Sequence, residues 1–397
     1  MFSRASRMGS MSERRRYDVV ILGAGSVGVP TAMAMARAGM RVLVIDRLAS
    51  PGQGSNKAAI GGVRATHSDP AKIRLCLRSL EILTTWEKTY GHNIEWNTGG
   101  YTFVTCRADE ERILKDLIKV QKGYGLNIDW YDLEDMLKIV PDLHPIGLIG
   151  GTYSPEDGNC STLLAGHAFY QEALEAGAEF VFNQRVTAIV TQGGKVAAVR
   201  TDRGEYGADV VVNAAGAWAK EVGELSGLEL AVDPDAHEAG ITEPVAPFFD
   251  PMVVDIRPAA GSQNYYFSQL RSGQVIFCIT PSPSLWGFDC RETSVFLPMV
   301  ARRMVGLMPR LANIRVRRMW RGLYPMTPDG SPLVGRAREL DGYLIAVGMC
   351  GQGFMLGPGL GELLTRLAAG ESLSDDDQET LEILSPYRSF DAREVLK

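Results

Sequence analysis

Tyr17 to Asp46 constrains the fold more than any other stretch of this 397-residue chain. It reads Tyr-Asp-Val-Val-Ile-Leu, then Gly23-Ala-Gly25-Ser26-Val27-Gly28, then an alanine-rich run, then Arg-Val-Leu-Val-Ile-Asp46. The order is a strand, a glycine turn, a helix and a second strand closed by an acid. Gly23 allows the tight turn, Gly25 lets the backbone approach a pyrophosphate, and Gly28 lets the helix pack closely on the sheet. The helix N-terminus adds free N–H groups and a positive dipole end for phosphates. Asp46, 18 residues beyond Gly28, stands where a carboxylate accepts ribose hydroxyls. A glycine triplet alone is weak evidence, because such turns are common in loops. Here strand, helix and terminal acid occur in register, so the unit is expected to hold a dinucleotide. The acid favours an unphosphorylated ribose, meaning FAD or NAD rather than NADP.

The length suits two domains or one large two-part domain. A hydrophobic fraction of 45%, a charged fraction of 22% and a net charge of −6 are ordinary for a water-soluble globular chain. Acids outnumber bases and no basic stripe interleaves with aromatics, so nucleic acid is not an expected partner. The six cysteines are scattered without a close pair, which argues against a zinc or iron–sulfur site and for a reducing compartment. Residues 1–16 are rich in Arg and Ser without an apolar core, so they read as a disordered leader rather than an export signal. No apolar run approaches the roughly 18 residues of a membrane span. A cytoplasmic location is expected, with peripheral membrane attachment left open.

Further along, Ile73, Leu77, Leu80 and Leu83 carry a helical spacing across residues 70–90. Residues 101–105 read as a strand, 109–124 as an amphipathic helix, and 132–139 as a short helix stopped by Pro141. A helix over 161–176 ends at Gly177 and leads into a strand at 179–182. Residues 186–190 and 196–201 form a hairpin across Gly193-Gly194. Ala208 to Ala214 is a continuous apolar run, as expected of a strand buried on both faces of a parallel sheet. Residues 235–300 alternate and are rich in Pro and aromatics, which predicts an antiparallel substrate platform. The last unit is a strand at 343–347, a glycine-rich turn, and a helix from about Phe354 to Ala369. A flavin sandwiched between a first and a last βα unit explains two such units; a nicotinamide dehydrogenase needs only one.

These residues, together with Asp157-Gly158, Asn213-Ala-Ala-Gly-Ala-Trp218, Thr242-Glu-Pro244, Trp320 to Gly335, Gly351-Gln-Gly-Phe354 and Pro386-Tyr-Arg388, resemble the FAD-dependent amine oxidoreductases of the D-amino-acid-oxidase superfamily. The nearest likeness is to the sarcosine oxidases, monomeric and β-subunit, and to the β subunit of archaeal L-proline dehydrogenase; it covers Tyr17 to Arg388. It implies an α/β fold: a Rossmann-like FAD domain (17–95, 152–225 and 325–372) with an inserted antiparallel-sheet, α+β substrate domain (96–151 and 226–324), and a tail at 373–397. For FAD it implicates Gly23, Gly25, Ser26, Val27, Gly28, Asp46 and Arg47. Gly61, Gly62, Val186, Ala215, Gly216 and Trp218 follow, then Gly322, Gly348, Gly351, Gln352, Gly353, Phe354 and Met355. Amides and the dipole end at 348–353 stabilise an anionic reduced flavin and raise its oxidising power.

The resemblance also assigns Arg64 to the substrate carboxylate, which a bidentate guanidinium suits. Tyr324 aligns with an active-site tyrosine, and Tyr265 or Tyr266 supplies an aromatic wall. His67 is a further candidate, or else a satisfied structural histidine, and Arg321 is a second cation. The departures carry information too. The cysteine that attaches FAD covalently in monomeric sarcosine oxidase corresponds to Gly322, which implies non-covalent FAD. The lysine after the Gly-Phe pair is Met355, Gln352 stands where relatives often have histidine, and no lysine lies in Gln274–Thr280. A fixed cation speeds the reaction of reduced flavin with oxygen, so its absence favours a dehydrogenase over an oxidase.

The activity expected is oxidation of the C–N bond of a small amino acid (sarcosine, proline or an N-methyl or opine-like relative) to an imine, by hydride transfer to flavin. The electron acceptor is open between a protein, a quinone and oxygen. One rival is a 2-hydroxy-acid dehydrogenase, which would need a histidine base such as His67. Another is a catalytic β-like subunit that works only inside a hetero-oligomer. A redox-inactive binding protein would leave the flavin-facing helix without purpose.

Overall fold

The structure, a computed structural model, describes residues 15–391 and 394–396; the expected leader lies outside them up to residue 14. Two eight-stranded sheets organise the chain. In the first, the path runs Leu333–Arg336, Tyr343–Val347, Glu205–Asn213, Arg16–Leu22, Val42–Ile45, Glu179–Val181. The hairpin Val186–Gln192 with Lys195–Thr201 joins it at Glu205–Asn213. Arg16–Leu22 pairs in parallel on both sides, and Tyr343–Val347 pairs in parallel with Glu205–Asn213. Both faces are covered, as the unbroken apolar runs require. Val19 and Ile21 pack with helices Gly28–Arg37, Pro70–Thr84, Thr162–Glu175 and Gly353–Ala369, while Val20 and Leu22 pack with Leu228, Leu230 and Val232 on the other side.

The second sheet runs Val316–Met326, Asp233–Pro244, Gln274–Pro281, Ser262–Gln269, Met252–Asp255, Tyr101–Thr105, Gly150–Ser154, Asp129–Asp132. It is antiparallel except where Met252–Asp255 meets Tyr101–Thr105. One face is sealed by the helices Leu133–Ile139 and Phe296–Leu307 around Tyr265, Phe267 and Phe277. Side chains alternate across a strand, so Tyr266, Cys278 and Tyr324 turn to the opposite face, toward the first sheet.

Three local features differ from the sequence expectations. The helical pattern over 70–90 is two helices, Pro70–Thr84 and Trp86–Tyr90, divided at Thr85. Phe296–Leu307 is a helix rather than the end of a sheet region. The tail contains the helix Asp375–Ile383, capped by the Ser374 side chain on the N–H of Asp377. Among the described residues no helix is long and apolar enough to cross a membrane.

Candidate active site

A cavity of about 410 Å³ lies between the two sheets, at the C-terminal ends of the parallel strands. One end is built by the first βαβ unit. Gly23 has φ +110°, and a Cβ there would lie 2.5 Å from the carbonyl oxygen of Ala214. A Cβ on Gly28 would meet the Gly23 carbonyl at 1.9 Å, so both positions need glycine for close packing. Around Gly25 nothing lies within 4 Å of that position, which leaves its backbone open to the cavity. Ser26 and Val27 line the same wall. The Asp46 carboxylate accepts from the N–H groups of Ala24 (2.7 Å) and Leu48 (2.8 Å) and still lines the cavity. Burial raises its pKa, against the pull of those two amides and Arg47. Arg47 stacks 4.4 Å over the Trp218 ring, and Val186, Ala215 and Gly216 complete this end. An open glycine turn, a held acid and an aromatic wall fit the pyrophosphate, ribose and adenine of FAD.

The far end is closed by the turn before helix Gly353–Ala369. Gly351, Gln352, Gly353, Phe354 and Met355 line the cavity; Gly348 and Gly28 do not, and act through packing. The helix lies against Gly28–Arg37 through glycines, since a Cβ on Gly357 would sit 1.8 Å from the carbonyl oxygen of Ser26. Both helices therefore begin at the cavity, and a helix N-terminus is a favourable place for negative charge. Gly61, Gly62 and Gly322 form the side walls. A Cβ on Gly322 would meet that of Ala58 at 2.5 Å, so a cysteine there has no room without movement.

The substrate-sheet wall carries Tyr324 and Tyr266, whose hydroxyls share a 2.7 Å hydrogen bond. Burial pushes both phenols well above their usual range, so they stay neutral donors. Buried Cys278, beside them, has its thiol pushed up to about 12 by burial. Tyr265, the neighbour of Tyr266, is fully buried on the other face and takes no part.

Arg64 lines the cavity and is 4% exposed. Its guanidinium lies 5.7 Å from the Tyr101 ring centre and 5.2 Å from that of Phe103. Nη1 donates to the Thr66 carbonyl, and Nη2 donates to the Leu396 carbonyl at 2.6 Å. Behind it, Asp157 accepts from the Ala65 N–H (3.0 Å) and the Thr66 hydroxyl (2.8 Å). Burial raises Asp157 to about 6 despite those bonds and the Arg64 charge.

Two expected side chains stand elsewhere. His67 does not line the cavity: it is fully buried behind Arg64, with Nδ1 at 3.2 Å from Arg64 Nη1 and Nε2 at 3.4 Å from Cys76 Sγ. Burial, then the charges of Arg64 and Lys72, hold its pKa well below the histidine range. Arg321 is also off the cavity, donating to the Arg291 carbonyl at 3.2 Å.

Sequence reasoning passed over His237. Its ring lines the cavity and stacks on Tyr324 at 3.8 Å, and Nε2 lies 3.2 Å from Asp235 Oδ2. Asp235 also accepts from the Leu285 N–H at 2.6 Å, and its pKa falls because the His237 and Leu285 bonds and the His237 charge outweigh burial. The available signal was the i, i+2 spacing of Asp235 and His237, which puts both on one face of a strand. Lys72 and Glu394, both wholly buried and 2.7 Å apart, carried no signal, being 322 positions apart in the chain.

The profile of the FAD dependent oxidoreductase family matches residues 18–367. Glycine oxidase of Geobacillus kaustophilus is 26% identical, covering 91% of this chain and 95% of its own. Sarcosine oxidase subunit beta of Rhodobacter capsulatus is 21% identical over 91% and 86%. The crystal structure of L-proline dehydrogenase from P. horikoshii superposes with a TM-score of 0.87 at 29% identity, covering 94% of this chain and 98% of that one. The glycine turn, the held acid and the two helix N-termini thus stand in a chain that belongs to the family of FAD-dependent oxidoreductases, with FAD as its cofactor.

Proposed function

We propose that this chain oxidises the C–N bond of a small amino acid to an imine, and that it does so as a dehydrogenase rather than an oxidase. The observation that carries the reading is Arg64: a buried guanidinium, fixed by two backbone carbonyls, on the wall of a cavity closed by Gly351-Gln352-Gly353. A guanidinium in a low-dielectric wall holds a carboxylate strongly and in one orientation. The names of the relatives, glycine oxidase, sarcosine oxidase subunit beta and L-proline dehydrogenase, agree in pointing to amino acids.

When bound, FAD supplies the two-electron acceptor for the oxidation. Arg64 orients the carboxylate, and the apolar wall of Tyr101, Phe103 and Val254 excludes water from the α-carbon. Tyr266 and Tyr324, held neutral by burial, offer donors and an aromatic face without a competing charge. The amine enters unprotonated, with its lone pair free to form the C=N bond, and the α-hydrogen leaves with its bonding electrons, so no side chain has to remove a proton from carbon. The imine is hydrolysed by water after release.

The preference for a dehydrogenase rests on the cavity's charges. No lysine is among its described lining residues, and Lys72, which reaches Gln352 from behind at 3.1 Å, is paired with Glu394. Among the described lining residues no lysine is therefore left to activate oxygen, and the buried cation present, Arg64, is given to the substrate carboxylate. Anaerobic reduction by an amino acid followed by admission of air tests this: re-oxidation slow against turnover with an artificial dye supports a dehydrogenase, and re-oxidation as fast as dye turnover overturns it.

A 2-hydroxy acid as substrate has one observation in its favour, the Asp235–His237 pair on the wall, because a hydroxyl needs a base where an amine does not. His237→Gln separates the two. It leaves reduction by an amino acid within several-fold of the native rate, and it would nearly abolish reduction by a hydroxy acid.

A further inference from the structure

Arg64 is held in place by a segment from the far end of the described chain. The Leu396 carbonyl accepts from Nη2, and the Leu396 side chain packs with Tyr101, Phe103, Met252 and Val254, of which Tyr101, Phe103 and Val254 line the cavity. The carbonyl sits where it does because of Glu394. One oxygen of that carboxylate, Oε1, accepts from the Leu396 N–H (3.0 Å), the Ser68 N–H (3.0 Å) and the Ser68 hydroxyl (2.6 Å). The Ser68 hydroxyl in turn accepts from the Val395 N–H at 3.0 Å. The other oxygen lies 2.7 Å from Lys72 Nζ. Lys72 also donates to the Gly330 carbonyl (3.2 Å) and to Gln352 Oε1 (3.1 Å), and Gln352 lines the cavity at the turn facing the flavin. A single buried chain of bonds therefore joins the carboxylate end of the cavity to its flavin end.

We propose that Glu394 is a positioning residue for substrate binding: with Lys72 it clamps segment 394–396 so that the Leu396 carbonyl fixes the Arg64 guanidinium toward the substrate carboxylate. The inference rests on the reading of Arg64 given above. A long, flexible side chain held before binding gives affinity that a free one would lose in ordering itself. The clamp needs a carboxylate at 394, because three donors converge on one oxygen and an ammonium on the other. An amide cannot satisfy both sides: its NH2 would face either three donors or Lys72. The segment must then shift, and Leu396 releases Arg64.

Three forms of the full chain with FAD bound test this, namely wild type, Glu394→Gln and Arg64→Ala, each titrated with acetate as a carboxylate that cannot be oxidised. Binding is read calorimetrically, and flavin content and anaerobic reduction by the best amino acid are read in parallel. The clamp predicts that Glu394→Gln keeps its flavin, weakens acetate about tenfold or more, raises KM similarly, and changes the limiting reduction rate by less than about threefold. A merely structural role would lower stability or flavin content and leave the acetate constant alone. Native acetate affinity in Glu394→Gln, with affinity lost in Arg64→Ala, overturns the clamp and leaves Arg64 as the carboxylate site. Native affinity in Arg64→Ala overturns both. Should Glu394→Gln not fold, the double variant Lys72→Met with Glu394→Leu replaces the ion pair by apolar volume; it is expected to show the same tenfold loss, and native acetate affinity there overturns the proposal.

Discussion

Gly351 lies flat against the ring of Tyr324: a Cβ at position 351 would come within 2.2 Å of Cε2 and 2.4 Å of Cδ2. Its φ of +82° is also one that side chains other than glycine adopt only with strain. Gly351→Ala is therefore expected to displace Tyr324 and break its 2.7 Å bond to Tyr266. Strain and overpacking together cost about 2–5 kcal/mol. Urea unfolding measures the loss; native stability in this variant would contradict the packing described.

The two tyrosines should be energetically coupled. Removing one hydroxyl, by Tyr266→Phe or Tyr324→Phe, leaves the other with Cys278 as its remaining side-chain partner and costs about 0.5–1.5 kcal/mol, whereas the double variant should lose less than the sum of the singles. A double-mutant cycle in unfolding free energy gives the coupling directly. A coupling of zero would mean that the hydroxyls do not share a bond in solution.

Much of this site was legible in the sequence, and the parts that were not have a common cause. The glycine turn, Asp46 and the last helix are local patterns in which spacing alone dictates geometry, so residues such as Gly25 and Gly353 could be placed before any fold was known. Arg64 and Tyr324 came from the resemblance rather than from spacing. Choosing Tyr266 over Tyr265 required knowing which face of the strand is covered, and that depends on helix Phe296–Leu307, which has no near neighbour in sequence to announce it. His67 looked like a site residue because it follows Arg64 by three positions, but the chain turns it inward onto Cys76. Lys72 with Glu394 was invisible because the pair forms only through tertiary folding.

Asp157 gives a pH dependence with a definite sign. Burial raises its folded pKa to about 6, above the value in an unfolded chain. The folded state thus binds the proton more tightly, and stability from this group is fully present below the unfolded pKa of about 4 and is lost as pH rises through about 6. The change is about 3 kcal/mol. Asp157→Asn removes it, so the stability of the variant relative to wild type should rise by about that amount between about pH 3 and about pH 7. Urea unfolding of both proteins across that range checks it; parallel curves would show that Asp157 is ionised normally.

The flavin should come away with the protein unfolded. Position 322 has no thiol, and Ala58 fills the space a side chain would need there. Acid precipitation of the yellow protein is expected to leave all of its FAD in the supernatant. Colour retained in the washed pellet would require a covalent attachment at some other residue.

The most direct test of the whole account is anaerobic reduction of the FAD-bound protein by a panel of amino acids and 2-hydroxy acids, followed at the flavin absorbance in wild type and Arg64→Ala. The account predicts bleaching of the wild type by an amino acid and a loss of at least about a hundredfold in apparent affinity for that substrate in Arg64→Ala, with FAD still bound, as expected when a buried charge loses its partner. Bleaching by hydroxy acids alone, or unchanged affinity for the amino acid in Arg64→Ala, would contradict it.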